Sequence, residues 1–156
     1  MVTALTSAVS DAVRQALAGV VDPEIPALTI EDMGILRGAT QTESGVTVTI
    51  TPTYSGCPAM GRIRADIVAA LEAVGITHVE VETVHSPAWT TDWMTPDARR
   101  RLEESGIAGP SSPEAARCPR CRAGEPRTIS EFGSTACKAL MVCSACGEPF
   151  HLFKEF

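Results

Sequence analysis

The spacing of apolar residues along the first half of the chain predicts two helices and three strands. Apolar positions recur every three or four residues in the helical segments and alternate with polar positions in the strands. The predicted elements are a helix over residues 4–19, strands over 35–42 and 46–53, a helix over 59–74 and a strand over 78–84. Because the second helix separates the last two strands, we expect these to be parallel and joined by a right-handed crossover. The pattern therefore predicts an α/β fold with two layers (α+β), in which helices cover a small three-stranded mixed sheet.

The turn between the second strand and the second helix carries Cys57, the only cysteine among residues 1–117. Backbone N–H groups and the positive end of the helix dipole favour a thiolate at such a position. Gly56 lets the backbone approach a partner closely, and Pro58 suits the first helical position because it has no N–H group to satisfy. The alternative is a buried cysteine that packs as a small apolar side chain.

Further polar and aromatic residues are expected beside Cys57. His85 and Trp89 follow the third strand, whose carboxyl end meets the same sheet edge as that of the second strand. A proline-rich loop at residues 22–26 adds two carboxylates, and its alternative interpretation is a solvated turn. The candidate residues for a site at this edge are Cys57, with Asp22, Glu24, Ser55, Gly56, His85 and Trp89 in support. A thiol enzyme with Cys57 as nucleophile and His85 as base is a weaker hypothesis, because no third orienting group is evident.

The last third of the chain holds two CxxC pairs that are separated by 21 residues. Each pair can place two thiolates on one metal ion from a tight turn, and two such turns complete a tetrahedral site. The predicted ligands are Cys118, Cys121, Cys143 and Cys146. Zinc is the default metal, although a single iron would use the same four sulfurs. Cys137 and His151 remain outside this set. Either could replace one of the four ligands, but we expect each of them to pack inside the domain or to lie at its surface.

The segment Gly109-Pro110-Ser111-Ser112-Pro113 is typical of a linker. We therefore predict a first domain over residues 1–108, a linker over 109–117 and a C-terminal zinc-ribbon β subdomain over 118–156. A segment of about 40 residues buries little surface, so the metal is expected to supply most of its folding free energy.

The net charge and its distribution along the chain limit the classes of molecule that the protein can bind. The net charge is −6, and residues 1–95 carry 4 basic and 11 acidic side chains, whereas residues 96–156 carry 9 basic and 8 acidic ones. A nucleic-acid surface needs an excess of Lys and Arg, so this class of partner is excluded. No stretch of 18 apolar residues and no secretion signal is evident, which predicts a cytoplasmic protein without a membrane partner. In a reducing compartment, clustered cysteines are usually metal ligands or reactive thiols.

Four motifs of the first domain, taken together, resemble the SufT-like iron–sulfur assembly domain. They are Asp22-Pro23-Glu24-Ile25-Pro26, Asp32-Met33-Gly34-Ile35, the stretch from Pro52 to Met60 and the stretch from Ser86 to Met94. The attached two-CxxC segment, with Phe132-Gly133-Ser134-Thr135-Ala136-Cys137-Lys138-Ala139-Leu140, narrows the resemblance to the PaaD family of the phenylacetyl-CoA epoxidase system.

This resemblance implies a non-catalytic accessory protein of aerobic phenylacetate degradation. Such a protein assists assembly or maintenance of metal centres in the oxygenase complex, with the iron–sulfur reductase component as the expected recipient. Cys57 corresponds to the reactive cysteine of the family, and Asp22 and Glu24 match its acidic loop. A transient iron–sulfur cluster, or iron alone, is the expected cargo at Cys57.

A [2Fe–2S] cluster needs four protein ligands, and Cys57 supplies one. We therefore expect a homodimer or a transient complex with a partner that supplies the others. The alternative is a scaffold whose zinc ribbon docks the oxygenase complex, with Cys57 merely packed and no role in cluster transfer.

Overall fold

The computed structural model describes residues 9–156 and divides the chain into two compact units, with the boundary between Thr95 and Pro96. Part of the predicted first helix, residues 4–8, lies outside the described residues. Val9 and Ser10 are not helical, so the helix begins later than its apolar spacing predicts. The reason is a cap: Ser10 is extended, and its hydroxyl accepts a hydrogen bond from the N–H of Val13.

Within residues 9–95, the first unit contains two helices, three strands and one turn of 3₁₀ helix. In chain order these are α1 (Asp11–Ala18), β1 (Leu36–Thr42), β2 (Gly45–Ile50), α2 (Met60–Glu72), β3 (Val79–Thr83) and the 3₁₀ turn Thr91–Trp93. The strand order is β1-β2-β3, with β1 antiparallel and β3 parallel to β2. The predicted three-stranded mixed sheet with helices is therefore confirmed.

The core of this unit follows from the two periodicities of the sequence. Val46, Val48 and Ile50 alternate along β2 and are all buried, while the intervening threonines are partly exposed. In α2, the buried residues recur at four-residue spacing, which places them in one stripe. They are Ile63, Ile67 and Leu71.

The loops that precede β1 and follow β3 are held tightly together. Trp89 is buried, and its indole N–H donates to the carbonyl of Met33 (2.9 Å). Gly34 has φ +72°, and a Cβ built on it would lie 2.7 Å from the Cβ of Trp93. The guanidinium of Arg37 lies 3.7 Å from the centre of the Trp93 ring. These contacts account for the glycine and the two tryptophans in the motifs around residues 32–35 and 86–94.

The second unit comprises α3 (Pro96–Glu104), β4 (Ile107–Ala108), β5 (Arg127–Ser130), β6 (Lys138–Val142) and β7 (Pro149–Phe153). Its strand order is β4-β7-β6-β5, in which β4 is parallel to β7 and the other pairs are antiparallel. The structure thus groups α3 and β4 with the two CxxC turns, whereas the sequence division falls at residue 108.

An apolar core of its own lies inside the second unit and includes two of the four cysteines predicted as metal ligands. Its members are Ala108, Ala116, Cys118, Ala139, Met141, Cys143, Phe150 and Leu152. This core contributes folding free energy in addition to any metal, beyond what a bare 40-residue ribbon would bury. Among residues 9–156, no helix has the length and apolar character needed to cross a membrane.

The close approach at Gly34 predicts a position-specific loss of stability. Gly34→Ala combines a left-handed backbone with a collision against Trp93 and should lower the free energy of unfolding by about 3 kcal/mol. Gly75→Ala is the matched control, because Gly75 has φ +89° with open space around it, and it should cost about 1 kcal/mol. Urea unfolding followed by tryptophan fluorescence measures both, since Trp89 and Trp93 both lie in the first unit. Equal losses for the two variants would contradict the role of the Trp93 contact.

Candidate functional site

Cys57 lies in an open turn between β2 and α2, as predicted. Ser55 and Gly56 are exposed and Cys57 is half-buried. Gly56 adopts φ +80°, which lets the chain reverse so that the N–H of Cys57 donates to the carbonyl of Tyr54 (3.2 Å). The side chain of Cys57 is therefore neither fully buried in the core nor fully in water.

Helix α2 begins at Met60, so Pro58 belongs to the turn and not to the first helical position as predicted. The N–H of Met60 donates to the carbonyl of Cys57 (3.4 Å), which tightens the turn just before the helix. At its other end the turn follows three buried residues, Thr51, Pro52 and Thr53. A rigid strand end and a helix start thus flank the exposed stretch that carries the thiol.

The segments after β2 and β3 leave the sheet at the same edge, as their parallel pairing requires. The last paired residues are Ile50 and Thr83, and the N–H of Val84 donates to the carbonyl of Ile50 (2.9 Å). His85 follows at once and is exposed. This edge accordingly carries the Cys57 turn and His85 on neighbouring strand ends.

The two carboxylates of the proline-rich loop have different environments. Asp22 is only 5% exposed, and its Oδ1 accepts hydrogen bonds from the N–H groups of Glu24 (2.8 Å) and Ile25 (2.9 Å). Asp22 therefore closes its own loop, and the interpretation of a solvated turn is wrong for this residue. Glu24 is exposed. Asp22 and Trp89 support the loops from within, whereas Glu24 faces solvent.

One residue that sequence reasoning missed is Arg64, one turn into α2. Its guanidinium donates to the carbonyl of Val81 and to the hydroxyl of Thr83 (2.7 Å), on the outer strand β3. This contact ties the helix that follows the Cys57 turn to the strand that precedes His85. An arginine within an amphipathic helix gives no local signal for such a long-range contact.

The four predicted metal ligands lie together in the second unit. Sulfur atoms of Cys118 and Cys146 are 3.8 Å apart, those of Cys121 and Cys143 are 3.5 Å apart, and all four lie within 4.8 Å of one another. A tetrahedral ion with metal–sulfur bonds of about 2.3 Å requires sulfur–sulfur separations of about 3.8 Å. The four cysteines therefore form a metal-binding cluster.

The two CxxC turns have the same backbone geometry. In each turn, the N–H of the first cysteine donates to a carbonyl five residues later at 2.9 Å, and its own carbonyl accepts from the residue four positions on. That residue has positive φ in both turns, 64° for Arg122 and 75° for Gly147. In the sequence, Gly147 indicates the second turn. Arg122 gives no such indication of the first turn, because arginine rarely adopts a positive φ.

Electrostatics differ between the sulfurs of the metal-free cluster. The backbone N–H of Cys146 points at the Cys143 sulfur (3.4 Å) and, with that of Ala145, lowers the pKa of the Cys143 thiol to about 6 against the opposing effect of desolvation. The N–H of Ala123 lowers the pKa of Cys121, but hydrogen bonding to Cys143, desolvation and the other thiols outweigh it and raise this pKa to about 12. These shifts favour the thiolate form at Cys143 and the thiol form at Cys121.

Cys137 and His151 lie outside this cluster among the described residues. Cys137 is buried, with its sulfur 2.9 Å from the hydroxyl oxygen of Thr135. His151 is half-buried, and desolvation, with a smaller effect of the nearby Lys138 charge, lowers its pKa. A Cβ at Gly133 would lie 2.6 Å from the His151 ring, so this ring packs against the loop that precedes β6.

Comparison with known protein families assigns the two ends of the chain to two different families. Residues 10–83 match the family described as iron-sulfur cluster assembly protein. Residues 104–154 match the family described as PaaD zinc beta ribbon domain. The first match contains Cys57, and the second contains all four metal-binding cysteines.

Two curated proteins are similar to the chain over different lengths. A protein of Escherichia coli (strain K12) named as the D component of 1,2-phenylacetyl-CoA epoxidase is 51% identical over 145 residues, which are 88% of this chain and 88% of that protein. A protein of Porphyromonas gingivalis named as Fe-S protein maturation auxiliary factor is 36% identical over 94 residues, 59% of this chain and 88% of the relative.

Two solved structures resemble part of the chain. One is a domain of unknown function, DUF59, from Bacillus anthracis, with a TM-score of 0.53 and 29% identity over 58% of this chain and 87% of that one. The other is a conserved hypothetical protein of Thermotoga maritima, with a TM-score of 0.51 and 30% identity over 62% of this chain and 97% of that one.

The cysteine cluster predicts that Cys143 is needed for metal binding and that Cys137 is not. Cys143→Ser should abolish the bound metal, because it removes a buried ligand, whereas Cys137→Ser should retain one metal ion per chain. Metal content of the purified full-length proteins, measured by inductively coupled plasma mass spectrometry, distinguishes the two. Loss of metal from the Cys137 variant would show that the ligand set is different.

Metal affinity should also depend on pH in a defined direction. Because the pKa of Cys143 lies near 6 in the metal-free protein, this thiolate is present at neutral pH and is protonated in acid. Its protonation should weaken metal binding by about tenfold between about pH 7 and pH 5, and because the proton of Cys121, whose pKa is about 12, must also be displaced, the total loss of affinity should exceed about tenfold. Competition titrations against a chelator, corrected for the chelator's own protonation, measure this change. An affinity that stays constant over this range would contradict the assignment of Cys143 as a ligand.

Proposed function

Because the chain belongs to the PaaD family, the D components of 1,2-phenylacetyl-CoA epoxidase, we propose that it is an accessory protein of phenylacetate degradation. It assists assembly or maintenance of the iron–sulfur or other metal centres of the epoxidase system and catalyses no step of ring oxidation itself. The observation that carries this proposal is the half-buried thiol of Cys57 in an exposed turn, within the segment that matches an iron-sulfur cluster assembly family.

Cys57 is the proposed ligand for the transient iron or iron–sulfur cargo. A carrier needs a sulfur that a partner can reach, and the exposed Ser55 and Gly56 beside Cys57 leave that access open. His85 and Glu24, both exposed, are proposed as supporting polar groups. Asp22 and Trp89 act indirectly, through the loops that they hold in place.

The number of cysteines in the first unit favours a function within a protein complex. The first unit contains one cysteine, and an iron–sulfur cluster needs four protein ligands. We propose that a second copy of the chain or the recipient protein supplies the others, with the iron–sulfur reductase of the epoxidase system as the recipient. Cluster transfer then becomes an exchange of ligands between Cys57 and the thiols of the recipient.

Zinc is the proposed occupant of the four-cysteine cluster. Its tetrahedral preference fits the sulfur separations of 3.5 and 3.8 Å, and residues 104–154 match a zinc beta ribbon family. The ion would hold the two CxxC turns together. No step of the proposed cluster transfer at Cys57 needs it.

A second candidate function is a docking scaffold without cluster transfer. The observation in its favour is that Phe132 and Ile129, three positions apart on the second unit, are 63% and 50% exposed. Exposed apolar side chains of this size are common in protein interfaces. On this alternative, Cys57 is only a packed residue.

One reconstitution experiment distinguishes the cluster-assembly function from the scaffold function. Wild type, Cys57→Ala and Cys137→Ala are purified without oxygen and incubated with ferrous iron, sulfide and a thiol. We expect wild type and Cys137→Ala to gain the visible absorption of a cluster and Cys57→Ala to gain none, because Cys57 is the single cysteine of the segment that matches the iron-sulfur cluster assembly family. The zinc content should be the same in all three proteins.

Identical spectra for the three proteins would overturn the role of Cys57 and leave the scaffold as the better explanation. A matching measurement in cells uses Phe132→Ser. If the scaffold is correct, this variant loses the other epoxidase components in pull-down experiments while Cys57→Ala retains them.

A further inference from the structure

The four metal-binding cysteines form a buried pair and an exposed pair. Cys118 and Cys143 are 0% and 2% exposed, whereas Cys121 and Cys146 are exposed. Each buried cysteine is the first of its CxxC turn and packs in the apolar core of the second unit. Each exposed cysteine is the second of its turn. A metal ion in this cluster would therefore have two of its four ligands on residues that face solvent.

We propose that this cluster is an exchangeable metal site, at which a thiol-bearing acceptor takes up the metal ion through the face formed by Cys121 and Cys146. The proposal rests on the proposed zinc occupancy and goes beyond cluster assembly at Cys57, because it gives the ribbon a transfer function of its own. The ligand class is a low-molecular-weight thiol or a cysteine of another protein.

The exchange step is a substitution without oxidation or reduction. The sulfur of the incoming thiol would bind the metal in place of Cys121 or Cys146, whose own bond to the metal would break. The proton of the incoming thiol passes to the released cysteine, so atoms and charge balance. Repetition at the other exposed cysteine, and then at the buried pair, completes the transfer.

The arrangement of the sulfurs suits a stepwise exchange. Cys121 lies 3.5 Å from the buried Cys143, and Cys146 lies 3.8 Å from the buried Cys118, so each exposed sulfur is next to a buried sulfur of the other turn. When one exposed cysteine leaves, both buried cysteines and the other exposed one still hold the ion. Three protein ligands plus one exogenous ligand is the coordination of an open zinc site.

Contacts that do not involve metal keep the two turns aligned during exchange. Arg120 of the first turn pairs with Glu148 beside the second (2.6 Å). The hydroxyl of Ser144, in the second turn, donates to the carbonyl of Glu125, which follows the first turn (2.9 Å). Exposed ion pairs are weak, but here they add to a sheet and to a core that also hold the turns. The site therefore stays formed when a metal–sulfur bond breaks.

The kinetics of zinc transfer test the proposal. Zinc-loaded full-length protein is mixed with glutathione as the attacking thiol and with a chromogenic chelator that captures the released ion. Attack at an exposed face predicts a rate that rises in proportion to the glutathione concentration. Cys137→Ala is the control and should transfer zinc at the wild-type rate, because Cys137 is buried and lies outside the four-cysteine cluster. A rate independent of glutathione concentration would overturn the proposal, because the domain would then have to open before the ion leaves.

Alkylation of the zinc-loaded protein gives an independent readout. With iodoacetamide and peptide mass spectrometry, Cys121 and Cys146 should react about tenfold faster than Cys118 and Cys143, because reactivity follows access. Equal rates for the four cysteines would contradict the proposal. A chain that binds no zinc would contradict both the proposed occupancy and its exchange, whereas loss of the Cys57-dependent cluster with zinc exchange intact would contradict the proposed function alone.

Discussion

The parallel pairing of β2 with β3 is the constraint on which the first unit depends. Parallel neighbours need a crossover, and α2 provides it with a stripe of apolar residues that packs beneath the sheet. Both strands must then end at the same edge, and the turn of Cys57 and the segment of His85 both start there. The hydrogen bond from Val84 to Ile50 (2.9 Å) extends this alignment one residue beyond the strands. The partial exposure of Cys57 follows from where the chain has to leave β2 before it can enter α2.

Much of this fold was predictable, because its signals are local. The alternation of Val46, Val48 and Ile50 fixes one face of β2, and the four-residue spacing along α2 fixes its buried stripe. Element ends were less predictable, since they depend on single caps such as Ser10. The position of β4 was not predictable from its two residues. Its pairing with β7, which joins Ile107 to His151, depends on a contact across more than forty positions that leaves no pattern in the local sequence.

Among the site residues, too, some positions follow from a local pattern and others depend on contacts that are distant in the sequence. Spacing alone identified the four cysteines, because two ligands in one tight turn must be three positions apart. Their division into a buried and an exposed pair arises from the core around Met141 and Phe150, and no sequence pattern encodes it. For Asp22, the local sequence suggests the wrong position. A carboxylate in a proline-rich loop suggests a surface group, yet the backbone N–H groups of the loop turn it inward.

The two CxxC turns are alike in backbone but unlike in their attachments. Arg122 holds a left-handed conformation that glycine would adopt more easily, and its guanidinium pairs with Glu103 of α3 at 2.8 Å. Since Arg122 directly follows Cys121, this pair attaches the first CxxC turn to α3 through the residue after its second ligand. The second turn has Gly147 at the same position, which has no side chain to make such a contact.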